Sequence, residues 1–438
     1  MRRGKLSQSG AVLIQVGFGM IALMALSALA VDYGVKVAAR RAAQNSADAG
    51  ALAGAIALSY DDPNDVSDTG PAKQSALMFA KANGVWGESP DVNVTTDIKI
   101  LTGNDCPPGG PCVRVDVYRN QERNNPLPVF FGNLVGVVNQ GVKASATAQV
   151  VSGDTTECLK PWVVVDRWDE FQGAETDWDK PGGDLDFGPT STYDKYSDGK
   201  GGRPAPEDDL YVPPSATSPG TGFTPKTDHG RQFAIKVDSS SEISSGWFRS
   251  VDLPRKDTTS GGASAYEASI KTCAGWPVSL AKPEVPCPTS STEIGSYEEK
   301  IYWAARGCLR VQTGIAQGPT IDGVEFIIAK DPTAYWDGTK IVSDFNPSPR
   351  VVPVGIMDVQ KYLQLDPSGS GGIVRLVNVF GFFIEGMGDI DKTTGAITCC
   401  DKKGKAVVGR LISIPGLMTG SSTIHPDASF LKSIILVR

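Results

Sequence analysis

The sequence AVLIQVGFGMIALMALSALAV, residues 11–31, is followed without a break by DYGVKVAARRAAQNSADAGALAGA, residues 32–55. The first stretch carries no charge, and Gln15 is its only strongly polar side chain. About 20 apolar residues are needed to cross the ~30 Å hydrocarbon layer as a helix, since lipid cannot hydrogen-bond an irregular backbone. Because apolar residues surround this helix instead of forming one stripe, a membrane span is favoured over a buried core helix.

The second stretch predicts a helix with a packing face made of small side chains. Ala43, Ala47, Ala51 and Ala55 recur every four residues, and the pair Gly50 and Gly54 has the same spacing. Small residues four apart let two helix backbones approach closely. Alanine is also simply the best helix former, but two glycines are poor choices for helix stability alone. The pattern therefore predicts that this face packs against a partner helix or a second copy of the chain.

The order of residues through both stretches resembles the N-terminal domain of TadG-like proteins of the Flp (Tad) pilus-assembly system. The pattern of that family is a hydrophobic span, an Asp-x-Gly, an Arg pair and a Gln-Asn-Ala-Ala-Asp-like run. In this sequence the residues that match the pattern after the span are Asp32, Gly34, Arg40, Arg41, Gln44, Asn45 and Asp48. A softer similarity is found at FFGNLVG, residues 130–136, and VKASATA, residues 142–148, which resemble the end of the first extracytoplasmic segment in such proteins. The resemblance covers residues 1–150.

The resemblance implies a non-catalytic, membrane-anchored component of Flp/Tad pilus assembly or a related envelope secretion machine. Its partners would be the inner membrane and other assembly proteins, or a second copy bound through the alanine-rich helix. Two other classes stay open: a periplasmic or surface binding protein, such as an adhesin, that uses the C-terminal region, and an envelope hydrolase.

Charge around the span gives a weak orientation signal. The basic residues number three on each side: Arg2, Arg3 and Lys5 before it, and Lys36, Arg40 and Arg41 after it. The N-terminal amine and the acids beyond the span favour a cytoplasmic N-terminus, and long domains cross largely regardless of charge. Eight cysteines without zinc-finger spacing suggest an oxidising compartment. We therefore expect a single-pass inner-membrane protein with its bulk in the periplasm.

Three fates of the N-terminus remain open. A retained anchor is favoured, because the helix continues past the apolar segment. Ala28-Leu29-Ala30 is an A-x-A pattern of the kind that signal peptidase cleaves. Prepilin-type cleavage after Gly10 would leave Ala11 first, but Gln15 then occupies a position that pilin-like proteins usually fill with Glu.

Composition predicts an α+β chain whose C-terminal region is mostly β. The 438 residues carry a net charge of −7, which argues against nucleic acid as a partner. Gly 49 and Pro 30 indicate many turns and short strands. We expect an anchor and alanine-rich helix over 1–58, a small α+β module over 61–152, and a mostly-β extracytoplasmic domain over 153–438.

Local patterns predict individual elements within these regions. In the module they are helices over 73–83 and 130–138 and strands over 92–101, 113–118 and 142–151. Beyond it they are strands over 232–237, 247–251, 323–330, 351–357, 373–384 and 407–414, a helix over 297–305, and a long loop over 176–222.

The positions of the cysteines predict one disulfide. Cys106 and Cys112 flank the turn PPGGP between two predicted strands and would staple a hairpin. The other six allow fifteen pairings. Since a disulfide between adjacent residues is strained, Cys399 and Cys400 are each expected to pair elsewhere.

Motifs for catalysis and cofactor binding are absent from the sequence. There is no G-x-S-x-G nucleophile elbow and no G-x-x-x-x-G-K-[ST] loop, and the Gly17–Ala22 match to a dinucleotide fingerprint lies inside the apolar span. His229 and His425 are expected to be loop residues. No catalytic residue and no cofactor is predicted.

Two acidic features match known metal sites only in part. Asp166 and Asp238 each follow an apolar strand as in a von Willebrand A-type metal site, but the Asp-x-Ser-x-Ser pattern of that site is incomplete at both. A Gly-rich loop carries several acids that suit calcium, but they do not follow the EF-hand order; they are Asp177, Asp179, Asp184, Asp186, Asp194 and Asp198. A solvated loop is the expectation.

Overall fold

A computed structural model describes residues 9–107, 109–170, 187–189, 191–193, 209–237, 243–257, 261–282, 284–312, 317–365, 372–391, 394–400, 404–418 and 424–437. The acidic loop weighed for calcium and the strand end at Asp238 lie outside these described residues.

The helices are α1 Ser9–Tyr60, α2 Pro71–Ala82, α3 Pro225–Asp228, α4 Ala263–Lys271, α5 Tyr297–Ala304, α6 Gln317–Lys330 and α7 Val359–Leu365. Short 3-10 turns lie at Gly103–Asp105, Gln121–Arg123, Gly132–Val135 and Ser291–Ile294. The strands are β1 Ile98–Leu101, β2 Cys112–Arg119, β3 Val142–Ser152, β4 Thr155–Thr156, β5 Trp162–Val165, β6 Gln232–Lys236, β7 Phe248–Ser250, β8 Val278–Ser279, β9 Cys308–Arg310, β10 Tyr335–Trp336, β11 Ile341–Val342, β12 Val351–Met357, β13 Ile373–Ile390, β14 Ile397–Cys399, β15 Ala406–Ile412, β16 Ile414–Pro415 and β17 Leu431–Val437.

The C-terminal half of α1 packs with α2 on a five-stranded sheet, which we call the helix module. The sheet order is β1-β2-β3-β17-β16, antiparallel except for the β16–β17 pair. Every second side chain of β3 faces the helices, with Ala144, Ala146 and Ala148 between Val142 and Val150. Because alanine adds little bulk above a sheet, α1 can lie close to it. The helix module thus joins residues from both ends of the chain.

Eight of the other strands build a larger sheet in the order β6-β15-β13-β12-β5-β7, to which β9 and β14 add by pairing with β13. The pairs β4–β8 and β10–β11 form two separate two-stranded sheets. β13 is 18 residues long and almost wholly buried, since its sequence is nearly continuous in apolar residues. Its Phe380, Phe382 and Phe383 are fully buried at the centre of the core. The predicted α+β class with a mostly-β C-terminal region is confirmed by these sheets.

One predicted strand is wrong. Residues 323–330 form the second half of α6, whose buried positions Thr320, Gly323, Val324 and Ile327 recur at helical spacing. A short apolar run cannot by itself distinguish a strand from a buried helix. Contact with α4 favours the helix over the strand. A Cβ on Gly323 would lie 2.6 Å from Cγ2 of Ile270 in α4, so the two helices are in close contact.

The strand predicted over 92–101 is shorter than expected, because β1 begins at Ile98. The preceding residues form a turn in which Oδ2 of Asp97 accepts a hydrogen bond from the backbone N–H of Asn93 at 2.9 Å. Such a local side-chain bond competes with strand pairing.

Disulfides join Cys106 to Cys112, Cys158 to Cys273, Cys287 to Cys308, and Cys399 to Cys400. The first closes the turn before β2, with 5.9 Å between the two Cα atoms. The expectation that Cys399 and Cys400 pair elsewhere is wrong. Their peptide bond is cis, which places their Cα atoms 3.0 Å apart, and each of the other six cysteines already has a partner.

Candidate functional site

The alanine face of α1 is buried inside the helix module. Ala43, Ala47, Ala51 and Ala55 are completely inaccessible to solvent and share one core with Ala72, Ala76 and Ala80 of α2 and with the valines of β2. The sequence predicts that this face packs against a partner helix or a second copy of the chain; in the structure it packs against the chain's own second helix and sheet. Both helices carry alanine every four residues, and this shared spacing explains the fit.

The two glycines of the same face set how closely α1 and α2 approach. A Cβ on Gly50 would lie 2.9 Å from Cβ of Ala80, and one on Gly54 would lie 2.8 Å from Cγ1 of Val113 and 3.0 Å from Cβ of Ala76. These distances are shorter than van der Waals contact. Glycine is therefore required here for close packing, in spite of its cost to helix stability.

Ser46 and Gln44 attach α1 to its neighbours through polar bonds. The buried Ser46 hydroxyl donates to the carbonyl of Ala80 at 2.8 Å, near the end of α2. The Gln44 amide donates to Oδ1 of Asp48 at 2.8 Å and to the carbonyl of Ser145 in β3 at 3.2 Å. Two positions of the family motif, Gln44 and Asp48, thus act together to tie the helix to the sheet.

Asp32 connects the two separate stretches that carried the resemblance. Its carboxylate accepts backbone N–H bonds from Phe130 at 2.8 Å, Phe131 at 3.0 Å and Gly132 at 2.5 Å. Partial desolvation raises the pKa of Asp32, but the three N–H donors outweigh it and hold the pKa below its usual value. The carboxylate takes the place of an N-cap for the 3-10 turn at Gly132–Val135.

This role of Asp32 cannot be predicted from the local sequence. Its three partners are backbone groups about a hundred residues away in the chain, and backbone N–H groups leave no mark on the local sequence. The available signal was the joint presence of Asp32 and of FFGN, residues 130–133, in the family pattern.

The other motif residues lie on the solvent-facing side of α1. Gly34, Arg40, Arg41 and Asn45 are exposed, as is the neighbouring Lys36. The burial pattern therefore divides the motif into a structural half that holds the helix module together and an exposed half that is available for contact. Arginine pairs of this kind suit carboxylate-rich surfaces, because each guanidinium offers a planar fork of donors.

The N-terminal part of α1 is apolar and unpacked. Among the described residues, α1 is the helix long and apolar enough to cross a membrane. Its large side chains from Val12 to Val31 are exposed, and none of the most apolar window is buried. A water-soluble core helix would instead bury one face. α1 is thus a candidate membrane span that continues directly into the helix module.

Asp166, weighed as the start of a metal site, is a buried carboxyl with local donors. Its Oδ1 accepts the N–H groups of Arg167 and Phe223, each at 2.9 Å, and the hydroxyl of Tyr211 donates to Oδ2 at 3.2 Å. Within the described residues, no group of three His, Cys, Asp or Glu side chains is arranged to hold a metal ion. Burial raises the pKa of Asp166 to about 7, and nearby Asp228 adds to this rise.

Asp166 is expected to make stability fall as pH rises from about 4 to about 7. Its pKa is higher in the folded protein than the ordinary 3.8, so in this range the folded state binds a proton that the unfolded state has lost. The contribution is complete below about pH 4 and is lost as the pH passes 7. In Asp166→Asn this component disappears, so the Tm of the variant minus that of the wild type is expected to rise between pH 4 and 7, measured by tryptophan fluorescence.

Asp257→Asn is the control for this prediction. The Arg255 guanidinium donates to the exposed Asp257 carboxylate and holds its pKa below 3.8, so its contribution is lost only as the pH falls below about 4. The Tm difference for this variant should stay constant from pH 4 to 7. A constant difference for Asp166→Asn as well would contradict the assignment.

Comparison with known proteins finds a family match in the N-terminal region. Residues 10–57 match the family model described as Flp pilus-assembly TadE/G-like. No curated protein and no solved structure matches the chain. The matched range ends three residues before the end of α1 and contains the apolar segment, the alanine face, Asp32 and the arginine pair. Residues 10–57 of this chain are therefore similar to the TadE/G-like domain described for Flp pilus assembly.

Proposed function

We propose that this protein is a non-catalytic component of Flp pilus assembly, or of a related envelope machine, anchored in the inner membrane by residues 11–31. The observation that carries the proposal is the continuity of α1, which passes from the apolar segment into the helix module without a break. The family match supports the role in pilus assembly. In this arrangement the N-terminus is cytoplasmic, and the helix module and the larger sheet are periplasmic.

The anchor would be mechanically coupled to the rest of the protein. Beyond Val31, α1 continues for 29 residues, about 43 Å at a rise of about 1.5 Å per residue, and its small face is packed along this length. A helix fixed in this way cannot swivel freely at the membrane surface. A continuous helix of this kind would hold the periplasmic domain in a fixed position within an assembly.

Partner binding is proposed for the exposed side of α1, with Arg40, Arg41 and Asn45 as its polar centre. The alanine face is already filled by α2, so replacing Ala47 or Ala51 by leucine would damage the fold before it reported on a partner. The side chains of Arg40 and Arg41 are exposed and do not form part of the core of the helix module. Their chemistry fits an acidic patch on another assembly protein.

The test is a double charge reversal, Arg40→Glu with Arg41→Glu, in cells that build Flp pili. Flp pilus-assembly proteins that co-purify with the chain after cross-linking are expected to fall at least about tenfold, since an inverted charge pair repels its former partner. The chain itself should stay in the membrane fraction after alkaline carbonate extraction. Release of the unmodified chain by carbonate would contradict the anchor.

Lys81→Glu with Lys99→Glu is the matched control, because it changes the net charge equally at two exposed lysines of the same module. Its co-purification should equal that of the unmodified chain. Equal co-purification by the Arg40/Arg41 variant would contradict the proposed partner surface and leave the anchor intact.

A further inference from the structure

We propose that the loop of residues 128–139, which we call the tip loop, docks into the lipid headgroup layer beside the membrane span. The proposal rests on the proposed anchorage by residues 11–31 and goes beyond it, because it assigns a second, separate membrane contact. The surface that the tip loop contacts is the interface of the lipid bilayer.

The tip loop lies at the end of the helix module nearest the apolar segment. It joins β2 to β3, and this hairpin runs along α1 toward the N-terminus: Gln44 contacts Ser145, whereas Asp32 contacts residues 130–132. Twelve residues of α1 separate Gln44 from Asp32, about 18 Å along the helix axis. The loop therefore reaches the first polar residue after the apolar segment, which is the level of the headgroups.

The position of the tip loop relative to the span is fixed by several bonds. The Asp32 carboxylate binds three successive N–H groups of the loop. Within the loop, the N–H of Val137 donates to the carbonyl of Gly132 at 2.9 Å, and at its base the N–H of Leu127 donates to the carbonyl of Gln140 at 2.9 Å. The loop cannot leave this level without breaking bonds to α1.

Four of the side chains that the tip loop exposes are large and apolar, beside the exposed Asn133 and Asn139. The exposed fractions are 54% for Phe130, 42% for Phe131, 48% for Val137 and 68% for Val138. The adjacent Tyr33 of α1 is 67% exposed. In water such a patch is unfavourable, whereas aromatic rings are favoured in the interfacial layer of a membrane. The patch continues the apolar surface of α1, so a bilayer that surrounds the span also meets the loop.

The test uses the full chain in vesicles of phosphatidylcholine and phosphatidylglycerol. All eight cysteines are in disulfides, so one introduced cysteine offers the only free thiol for an NBD fluorophore. Val137→Cys reports on the tip loop. Val66→Cys is the matched control, since Val66 is also a valine, is 52% exposed, and lies beyond the far end of α1, about 42 Å from Asp32 along the helix. Ile21→Cys reports on the span.

A nitroxide on the lipid headgroup is expected to quench the Val137 probe at least twofold and to leave the Val66 probe unchanged. A nitroxide deep in the acyl chain should quench the Ile21 probe. If the Ile21 probe is quenched and the Val137 probe is not, the docking proposal fails and the anchor stands. If the Ile21 probe is not quenched, both fail. A Val137 probe that is blue-shifted but unquenched would mean that protein covers the loop, and would also overturn the proposal.

The double change Phe130→Ser with Phe131→Ser addresses the rings themselves. With the probe at Val137, quenching by the headgroup nitroxide is expected to fall by at least half, because the loop loses its two largest apolar groups. Unchanged quenching would overturn the assignment of these rings to the bilayer.

Discussion

Replacing Gly54 by leucine is expected to open the helix module, with a loss of about 3 kcal/mol or more in its stability. The Cβ alone would lie 2.8 Å from Cγ1 of Val113, 3.0 Å from Cβ of Ala76 and 3.1 Å from the carbonyl oxygen of Ala72. One of these neighbours is backbone of α2, so relief requires the two helices to separate. Separation would expose the alanine core that α1, α2 and the sheet share.

Hydrogen exchange of the full chain in detergent measures this effect at the amides of residues 71–82. A loss of about 3 kcal/mol corresponds to roughly a hundredfold faster exchange where opening of the module is the exchange route. The matched control is Gly34→Leu in the same helix, where a Cβ meets no described atom within 4 Å. Leucine is a better helix former than glycine, so that variant should be neutral or slightly stabilised. Normal exchange in Gly54→Leu would contradict the close approach of α1 and α2.

Replacing Arg350 by methionine is expected to destabilise the larger sheet by about 3–5 kcal/mol. The guanidinium is buried where β12 begins and donates to four backbone carbonyls: Ile384 and Glu385 at 2.8 Å, Ala334 at 2.8 Å and Asp331 at 3.3 Å. Burial raises the pKa of Asp331, but the hydroxyls of Ser343 and Ser348, which donate to its Oδ2 at 2.6 Å each, and the nearby charge of Arg350 hold that pKa below its usual value. Methionine fills the space but leaves the four carbonyls without this donor and removes the positive charge near Asp331.

Exchange of the β13 amides near Ile384 is the measurement, since this strand bonds directly to Arg350. Arg350→Lys should lose part of the stability, because one ammonium cannot reproduce a planar fork of five donors. Arg306→Met is the control: Arg306 donates to the single carbonyl of Tyr302 at 2.9 Å and lies over its exposed ring, so its loss should cost less than about 1 kcal/mol. Equal effects of Arg350→Met and Arg306→Met would contradict the central role of Arg350.

Much of the local structure could be predicted because its cause is local. The alternation of Val113, Val115 and Val117 predicts a strand, and β2 contains it. The helix predicted over 73–83 is α2, displaced by one or two residues, and the strand predicted over 351–357 matches β12. The strand predicted over 323–330 failed because its apolar run fits both kinds of element, and only contact with α4 selects the helix.

The predicted sites divide in a similar way. The spacing of small residues predicts a packing face on α1. It does not identify the element that packs there, because α2 has the same four-residue spacing that an external partner helix would have. The motif residues were identified as a set; only the structure separates Gln44 and Asp48, which bind inside the module, from Arg40, Arg41 and Asn45, which face outward. The role of Arg350 could not be predicted from the sequence, because its partners are backbone carbonyls, which every residue carries.

The sequence by itself determined the apolar helix, the family motif and the strand-rich character of the C-terminal region, since hydrophobic period and residue type act over a few neighbouring positions. The tertiary structure alone decided that β17, the last strand described, completes the sheet under α1, that α2 fills the alanine face, and that Asp32 holds the tip loop. Each of these depends on groups far apart in the chain, which meet because burial and hydrogen bonding are satisfied together only in the folded protein.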